Sequence, residues 1–242
     1  MTPRHLVLIP SYNPGPALRP VVQEASAQWQ PVWVVSDGST DRSNEGVERL
    51  GARLVTLPRN RGKGEAIRQG LLLARAEGFT HALVMDADGQ HPANRIRTFI
   101  AASAARPDAL ILGQPEFGLD APLIRLAGRR LANRLTALLA RRGTVADSLF
   151  GFRVYPIAPL LDAMAATRFM RGFDFEPEAA IRLVRMGLPV LNLPAPVRYI
   201  RRDQGGVSHF RYGRDNLKLG WMFTRLLLRP PRRPPLARSP PD

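Results

Sequence analysis

Asp86 and Asp88, in Asp86-Ala87-Asp88-Gly89-Gln90-His91-Pro92, directly follow the apolar run His81-Ala82-Leu83-Val84-Met85. Side chains two apart in extended chain share a face, so the pair can converge on one hard cation at a strand's exit. A divalent ion held by only two carboxylates keeps open positions, which suit the phosphate oxygens of a nucleotide. Acidic residues in a strand-to-helix loop also serve as turn formers or helix caps, and the pair alone leaves both readings open.

Two other stretches carry chemistry. Asn60-Arg61-Gly62-Lys63-Gly64-Glu65-Ala66 opens a helical pattern, where glycines permit close backbone approach and free amides can receive a phosphate. It lacks the G-x-x-x-x-G-K-[ST] and G-x-G-x-x-G spacings, which argues against an ATPase loop or a dinucleotide fingerprint. Asp147, and Asp174 with Glu176 and Glu178 in Phe173-Asp174-Phe175-Glu176-Pro177-Glu178, are candidates for a general base. Acidic residues are equally favoured in any first helical turn.

The elements that must position these groups follow from the apolar pattern. Short runs at 6–9, 32–35, 53–57, 82–85 and 109–112 predict strands, and helices are predicted at about 16–29, 63–78 and 92–105, with a shorter one near 41–50. This alternation predicts an α/β fold with a mainly parallel sheet and helices on both faces. Ligands in such sheets bind outside the carboxyl ends of the strands. Pro10-Ser11-Tyr12-Asn13-Pro14-Gly15, Ser36-Asp37-Gly38-Ser39-Thr40-Asp41-Arg42-Ser43 and the Asp86 segment should therefore lie side by side at one rim.

Composition narrows the class. The 242 residues, 45% of them hydrophobic, can bury one substantial core. No cysteine is present, so there is neither a disulfide framework nor a thiolate metal site. The first apolar run is too short for a signal peptide, and no window approaches the roughly 18 apolar residues of a spanning helix. A cytoplasmic chain is expected. The net charge of +15, carried overwhelmingly by arginine, attracts nucleic acid, anionic lipid or phosphorylated substrates. A nucleic-acid reader would more persuasively show aromatic residues interleaved with the basic ones or a recognisable reading helix, and aromatics are only 7%, which places nucleic acid last.

Taken in order, the segments resemble the inverting family-2 glycosyltransferases. Val7-Leu8-Ile9-Pro10-Ser11-Tyr12-Asn13 is similar to the family's opening strand and Ser36-Asp37-Gly38-Ser39-Thr40-Asp41 to its second loop. Asn60 to Ala66 is similar to its glycine-bearing helix start, and Asp86-Ala87-Asp88 to its D-x-D motif. Asp147-Ser148-Leu149-Phe150-Gly151-Phe152-Arg153 resembles the D-x-x-S-G-F-R of dolichol-phosphate mannosyltransferases and bacterial polyprenyl-phosphate glycosyltransferases.

The resemblance implies a GT-A fold, a Rossmann-like three-layer sandwich, binding a UDP- or GDP-sugar and Mg²⁺ or Mn²⁺. It implies that Pro10, Tyr12, Asn13, Asp37, Gly38, Lys63, Asp86, Ala87, Asp88 and Gln90 border the nucleotide-sugar, with Asp37 accepting a hydrogen bond from the base. Asp86, Asp88 and the late His209 are the implied metal ligands. Arg153, Arg202 and Ser208 are the implied contacts to acceptor or donor phosphate. His91 reads as a residue leading into the next helix. Inversion requires in-line attack by an acceptor oxygen; a hydroxyl needs a carboxylate base, for which Asp174 and Asp147 stand ahead of Glu178, whereas a phosphate is already ionised. Phe150 departs from the usual serine and removes a hydroxyl beside the implied acceptor pocket. A sugar nucleotidyltransferase shares the sheet but begins with a glycine- and arginine-rich phosphate loop, absent after the first strand here. The same motifs are compatible with sugar transfer to a soluble hydroxyl acceptor, and with a non-catalytic module that binds a sugar nucleotide or a membrane.

Residues 122–142 and 213–229 alternate leucines with basic residues at helical spacing. Such helices suit either an anionic lipid interface or packing on the sheet. The expected organisation is a catalytic domain at 1–212, an amphipathic helix at 213–229 and a disordered proline- and arginine-rich tail at 230–242. The expected setting is the inner face of the cell membrane, with a lipid-linked acceptor and peripheral attachment.

Overall fold

Leu6, Val7, Leu8 and Ile9 are all wholly buried, so alternate side chains of one strand must fill two separate cores. In the computed structural model, which describes residues 2–117, 123–140, 145–198 and 212–228, this strand is β1 (His5–Ser11). It lies inside a seven-stranded sheet with β2 (Val32–Ser36), β3 (Ala52–Thr56), β4 (His81–Val84), β5 (Leu110–Glu116), β6 (Arg153–Pro156) and β7 (Val190–Pro196). The order is β3-β2-β1-β4-β6-β5-β7, parallel except for β6.

Helices α1 (Leu18–Gln28) and α3 (Ile96–Ala105) cover one face, packing on Val7, Ile9, Val34 and Leu83. On the other face α2 (Lys63–Ala76), α5 (Ile157–Ala165) and α6 (Phe175–Arg185) pack on Leu6, Leu8, Val35 and Val84. This is the expected three-layer α/β arrangement. A third cluster joins α4 (Leu123–Ala140), α6 and α7 (Tyr212–Leu228) through Ala132, Leu139, Ile181, Met222, Phe223 and Leu226.

Some expectations need correction. Residues 41–50 do not form an α-helix; only Val47–Leu50 makes a 3-10 turn, between Gly46 and Gly51 in left-handed backbone. The periodic pattern does not anticipate β6, β7 or α5. Strand β7 contains Pro194 and Pro196, which are tolerated because it is the last strand of the sheet. Strand β6 has only four residues and carries a charged one.

That short strand decides the site. Because β6 runs antiparallel to β4, its first residue pairs with the last residue of β4, Arg153 with Val84. The Asp147-to-Phe152 loop is thereby brought to the same rim as the Asp86 loop.

Candidate active site

The rim loops are held together by their own polar side chains. Asp37 is 2% exposed; its Oδ1 accepts the Arg61 amide at 2.8 Å and its Oδ2 the Gly62 amide at 2.7 Å. Gly38, at φ +70, lies so close to the 59–60 backbone that a Cβ would come within 2.6 Å of it. Asn13 brackets Thr40: its Oδ1 accepts the Thr40 amide at 2.7 Å and its Nδ2 donates to Oγ1 at 3.5 Å. Asp41 accepts the Gly15 amide at 2.9 Å. Pro10 is buried beneath this seam, whereas Tyr12 is exposed on it.

The start of α2 differs from the expected open phosphate cradle. The Gly62 amide is taken by Asp37, the Gly64 amide by the Arg171 carbonyl, and the Glu65 and Ala66 amides by the Gly62 carbonyl. What this helix start offers is its first side chain, Lys63. Its Nζ lies 2.5 Å from Asp86 Oδ1 and also ion-pairs with Glu176 Oε1. Burial pulls the ammonium down, but the two carboxylates outweigh it and hold the lysine firmly charged. Lys63 and Lys218 are the only lysines in the chain. A compact ammonium can meet two carboxylates at one point, which a planar guanidinium does less readily.

The chain leaves β4 at Val84, and Ala87 and Asp88 sit in a turn rather than in extended backbone. The two aspartates therefore approach through loop closure, not through strand alternation. Asp88 Oδ1 accepts the Gln90 amide at 3.0 Å. Burial, with the nearby Asp86 carboxylate, pushes Asp88 up to about 6. Asp86 itself is raised by burial but more strongly lowered by the charges around it, Lys63 first, and stays ionised. His91 is buried, and its Nδ1 accepts the Asp86 amide at 2.9 Å. Burial first, then Lys63 and two arginines, hold the imidazole down at about 4 against the pull of Asp86. Gly151 completes the wall: a Cβ there would stand 3.1 Å from Lys63 Nζ and 3.2 Å from Asp86 Oδ2.

Several sequence-derived roles are not supported by this geometry. Arg153 is wholly buried, and donates to the carbonyls of Phe150 at 2.7 Å, Glu176 at 2.7 Å and Asp147 at 3.3 Å. It ties the 147–150 loop to α6 and presents no surface to an acceptor phosphate. Asp147 is spent likewise. Its Oδ1 accepts the amides of Leu149 and Phe150, and its Oδ2 faces Asn133 Nδ2 and Arg129. That is the environment of a loop-forming carboxylate rather than a base. Glu178 is fully buried between Arg182 and Arg225, which pins α7 against α6. Phe150 is turned inward against His91 and does not line an open pocket. Asp174, half-buried before α6, accepts the Gly172 amide at 3.0 Å.

Glu176 is the carboxylate that reaches the cluster, and sequence spacing alone does not separate it from Asp174 and Glu178. Arg202, Ser208, His209 and the tail at 230–242 lie outside the described residues.

The donor set fits a hard divalent cation. Two carboxylates on one short loop, one of them raised by burial and then by its negative neighbour, form a pair whose repulsion such an ion would offset. Among the described residues no group of three or more His, Asp or Glu donors converges, so remaining positions would fall to substrate and water.

Dolichyl-phosphate beta-glucosyltransferase of Homo sapiens is 35% identical over 101 residues, 34% of this chain and 30% of the human protein. The chain thus matches about a third of that relative's length. Polyprenol monophosphomannose synthase of Mycolicibacterium smegmatis is 26% identical over 216 residues, 84% of this chain and 80% of the synthase. Glucosyl-3-phosphoglycerate synthase from Mycobacterium tuberculosis, crystallised with Mn²⁺, UDP and glucosyl-3-phosphoglycerate, shares the fold, with a TM-score of 0.63 at 20% identity over 93% of this chain and 77% of the other. The same synthase with Mg²⁺ and UDP gives 0.55 at 19% identity over 93% and 77%. Residues 6–160, from β1 into α5 and including both acidic loops, match glycosyl transferase family 2, and the chain belongs to that family.

Proposed function

We propose that the chain moves a sugar from a UDP- or GDP-sugar to a lipid-linked phosphate acceptor, with inversion, at the inner face of the cell membrane. The observation that carries the donor half is the Asp86–Lys63–Glu176 cluster at the carboxyl ends of β1 and β4. Asp86 and Asp88 would hold Mg²⁺ or Mn²⁺, and the ion would offset charge on the departing nucleoside diphosphate. Lys63 supplies a fixed positive charge at the same place, where burial strengthens it. Tyr12 offers an exposed aromatic face at the loop seam where the base would lie.

Two features support a lipid acceptor. The two named relatives act on dolichyl and polyprenol phosphates by their names. Leu138 on α4 is 69% exposed, and on α7 Leu217 and Trp221 are 77% and 59% exposed. Arginines and Lys218 share these helices, a mixture suited to an anionic interface. No helix among the described residues is long and apolar enough to cross a membrane, so attachment would be peripheral.

A soluble hydroxyl acceptor is the second reading, favoured by the presence of Glu176 in the cluster and of Asp174 two residues before it. Asp174→Asn would then abolish transfer while sparing donor hydrolysis. The deciding experiment is a thermal-shift panel of UDP- and GDP-sugars with Mn²⁺, with an Asp86→Ala, Asp88→Ala variant as control. One nucleotide series should stabilise the parent and not the control. No stabilisation by any sugar nucleotide would sink the donor site. Failure of anionic vesicles to retain the chain at low salt would remove the membrane half.

A further inference from the structure

Sheet bonding along the fourth strand ends where the Met85 amide donates to the Leu8 carbonyl at 3.1 Å. The next amide, that of Asp86, finds no strand partner and donates to His91 Nδ1 at 2.9 Å. Two residues on, Asp88 Oδ1 takes the Gln90 amide. The loop therefore closes upon itself, and His91 is the side chain that fixes where Asp86 leaves the sheet.

The imidazole is itself fixed from behind. Phe150 stands edge-on to it at 4.6 Å and Phe152 at 5.7 Å, and Phe152 leans on Phe99 at 4.7 Å. Gly113 makes room for this stack, since a Cβ there would come within 2.8 Å of the Phe150 ring. Because Nδ1 accepts a proton from the backbone, the neutral ring carries its own proton on Nε2, which lies 3.8 Å from Asp86 Oδ2. One ring thus addresses both the main chain and the carboxylate of Asp86.

We infer that His91 is a positioning residue for the metal-binding carboxylate Asp86, acting through Nδ1, and that Phe150 locks its ring. The inference rests on the metal role proposed for Asp86 and Asp88. It also gives the aromatic residue at position 150 a function: it buttresses the metal loop and does not touch acceptor.

The test uses Mn²⁺ alone, titrated into the full chain and followed by the electron paramagnetic resonance signal of free Mn²⁺. An asparagine places its side-chain oxygen near the Nδ1 position, whereas glutamine places it near Nε2. His91→Asn should keep Mn²⁺ affinity within about threefold of the parent, whereas His91→Gln and His91→Leu should weaken it on the order of tenfold, as loss of an outer-shell partner does. Packing alone would give the opposite order, because glutamine fills more of the histidine's space than asparagine. Thermal midpoints of the same variants record that packing effect separately. Parental affinity in His91→Gln, or a loss in His91→Asn as large as in His91→Leu, would overturn the inference while leaving the metal site standing. If the Asp86→Ala, Asp88→Ala variant binds Mn²⁺ like the parent, the metal reading itself is wrong and the inference falls with it.

Discussion

Lys63, the first residue of α2, and Glu176, in the first turn of α6, form an ion pair inside the site, and the same Nζ rests on Asp86. Three elements from distant parts of the chain are joined by one ammonium. Glu176 is 4% exposed, so Lys63 rather than solvent is its partner.

Removing the ammonium should therefore be felt in stability before it is felt in catalysis. Lys63→Met leaves the buried Glu176 and Asp86 facing each other, and unfolding in urea with chelator present should show a loss of about 3–5 kcal/mol. Added Mn²⁺ should restore more stability to this variant than to the parent, because it replaces the missing charge. Unchanged stability in chelator would show that the two carboxylates are not coupled through Lys63.

Asp37 holds the Arg61 and Gly62 amides, and through them the position of Lys63. In Asp37→Asn one amide would face an amide donor instead of an oxygen. Affinity for UDP and GDP should fall alike, by about tenfold or more, the scale of one hydrogen bond to a charged group. Calorimetry with both nucleotides measures this. A loss confined to one base would instead make Asp37 a reader of that base.

Arg153 pairs with three backbone carbonyls in a fully buried setting. Arg153→Met should leave them unpaired and destabilise the fold by roughly 3–5 kcal/mol. A variant of parental stability whose acceptor KM alone had risen would return Arg153 to the role of phosphate ligand.

At the opposite end of the sheet, His5 and His81 stack at 4.8 Å, both buried. Burial, helped by His81, lowers His5 to about 4, and burial also lowers His81. Both rings are neutral when folded, whereas the unfolded chain binds protons from about pH 6.5 downward. Stability is therefore full above that pH and declines as pH falls toward 4, by about 1.4 kcal/mol per pH unit for each ring that stays neutral. Denaturation at a series of pH values measures the slope, and an NMR titration of His5 should show no midpoint above about pH 5.

Close contact at Gly151 gives a smaller variant with a local effect. Gly151→Ala would set a methyl 3.1 Å from Lys63 Nζ and 3.2 Å from Asp86 Oδ2, so Mn²⁺-dependent nucleotide binding should weaken with little change in thermal midpoint. Parallel thermal-shift and binding curves separate the two.

Local pattern was enough for the first five strands, for α1, α2 and α3 within a few residues, and for the rim where the acidic loops meet. Those features depend on hydrophobic alternation and on turn chemistry, which neighbouring residues determine among themselves. The ordered motifs likewise singled out Asp86, Asp88 and Lys63, which the fold places together. Tertiary structure decided what each remaining polar side chain does. Asn13, Asp37 and Arg153 have the right chemistry to face a ligand, yet they bind backbone brought close by the fold, while Asp147 is taken up by the amides of its own loop. Loops packed together at a sheet's end carry amides and carbonyls that no strand satisfies, and buried polar groups must find partners. For Arg153 and its loop, the partners available depend on the antiparallel insertion of β6, a long-range pairing that four residues of sequence do not announce. The same insertion set Gly151 against Asp86 and Phe150 behind His91.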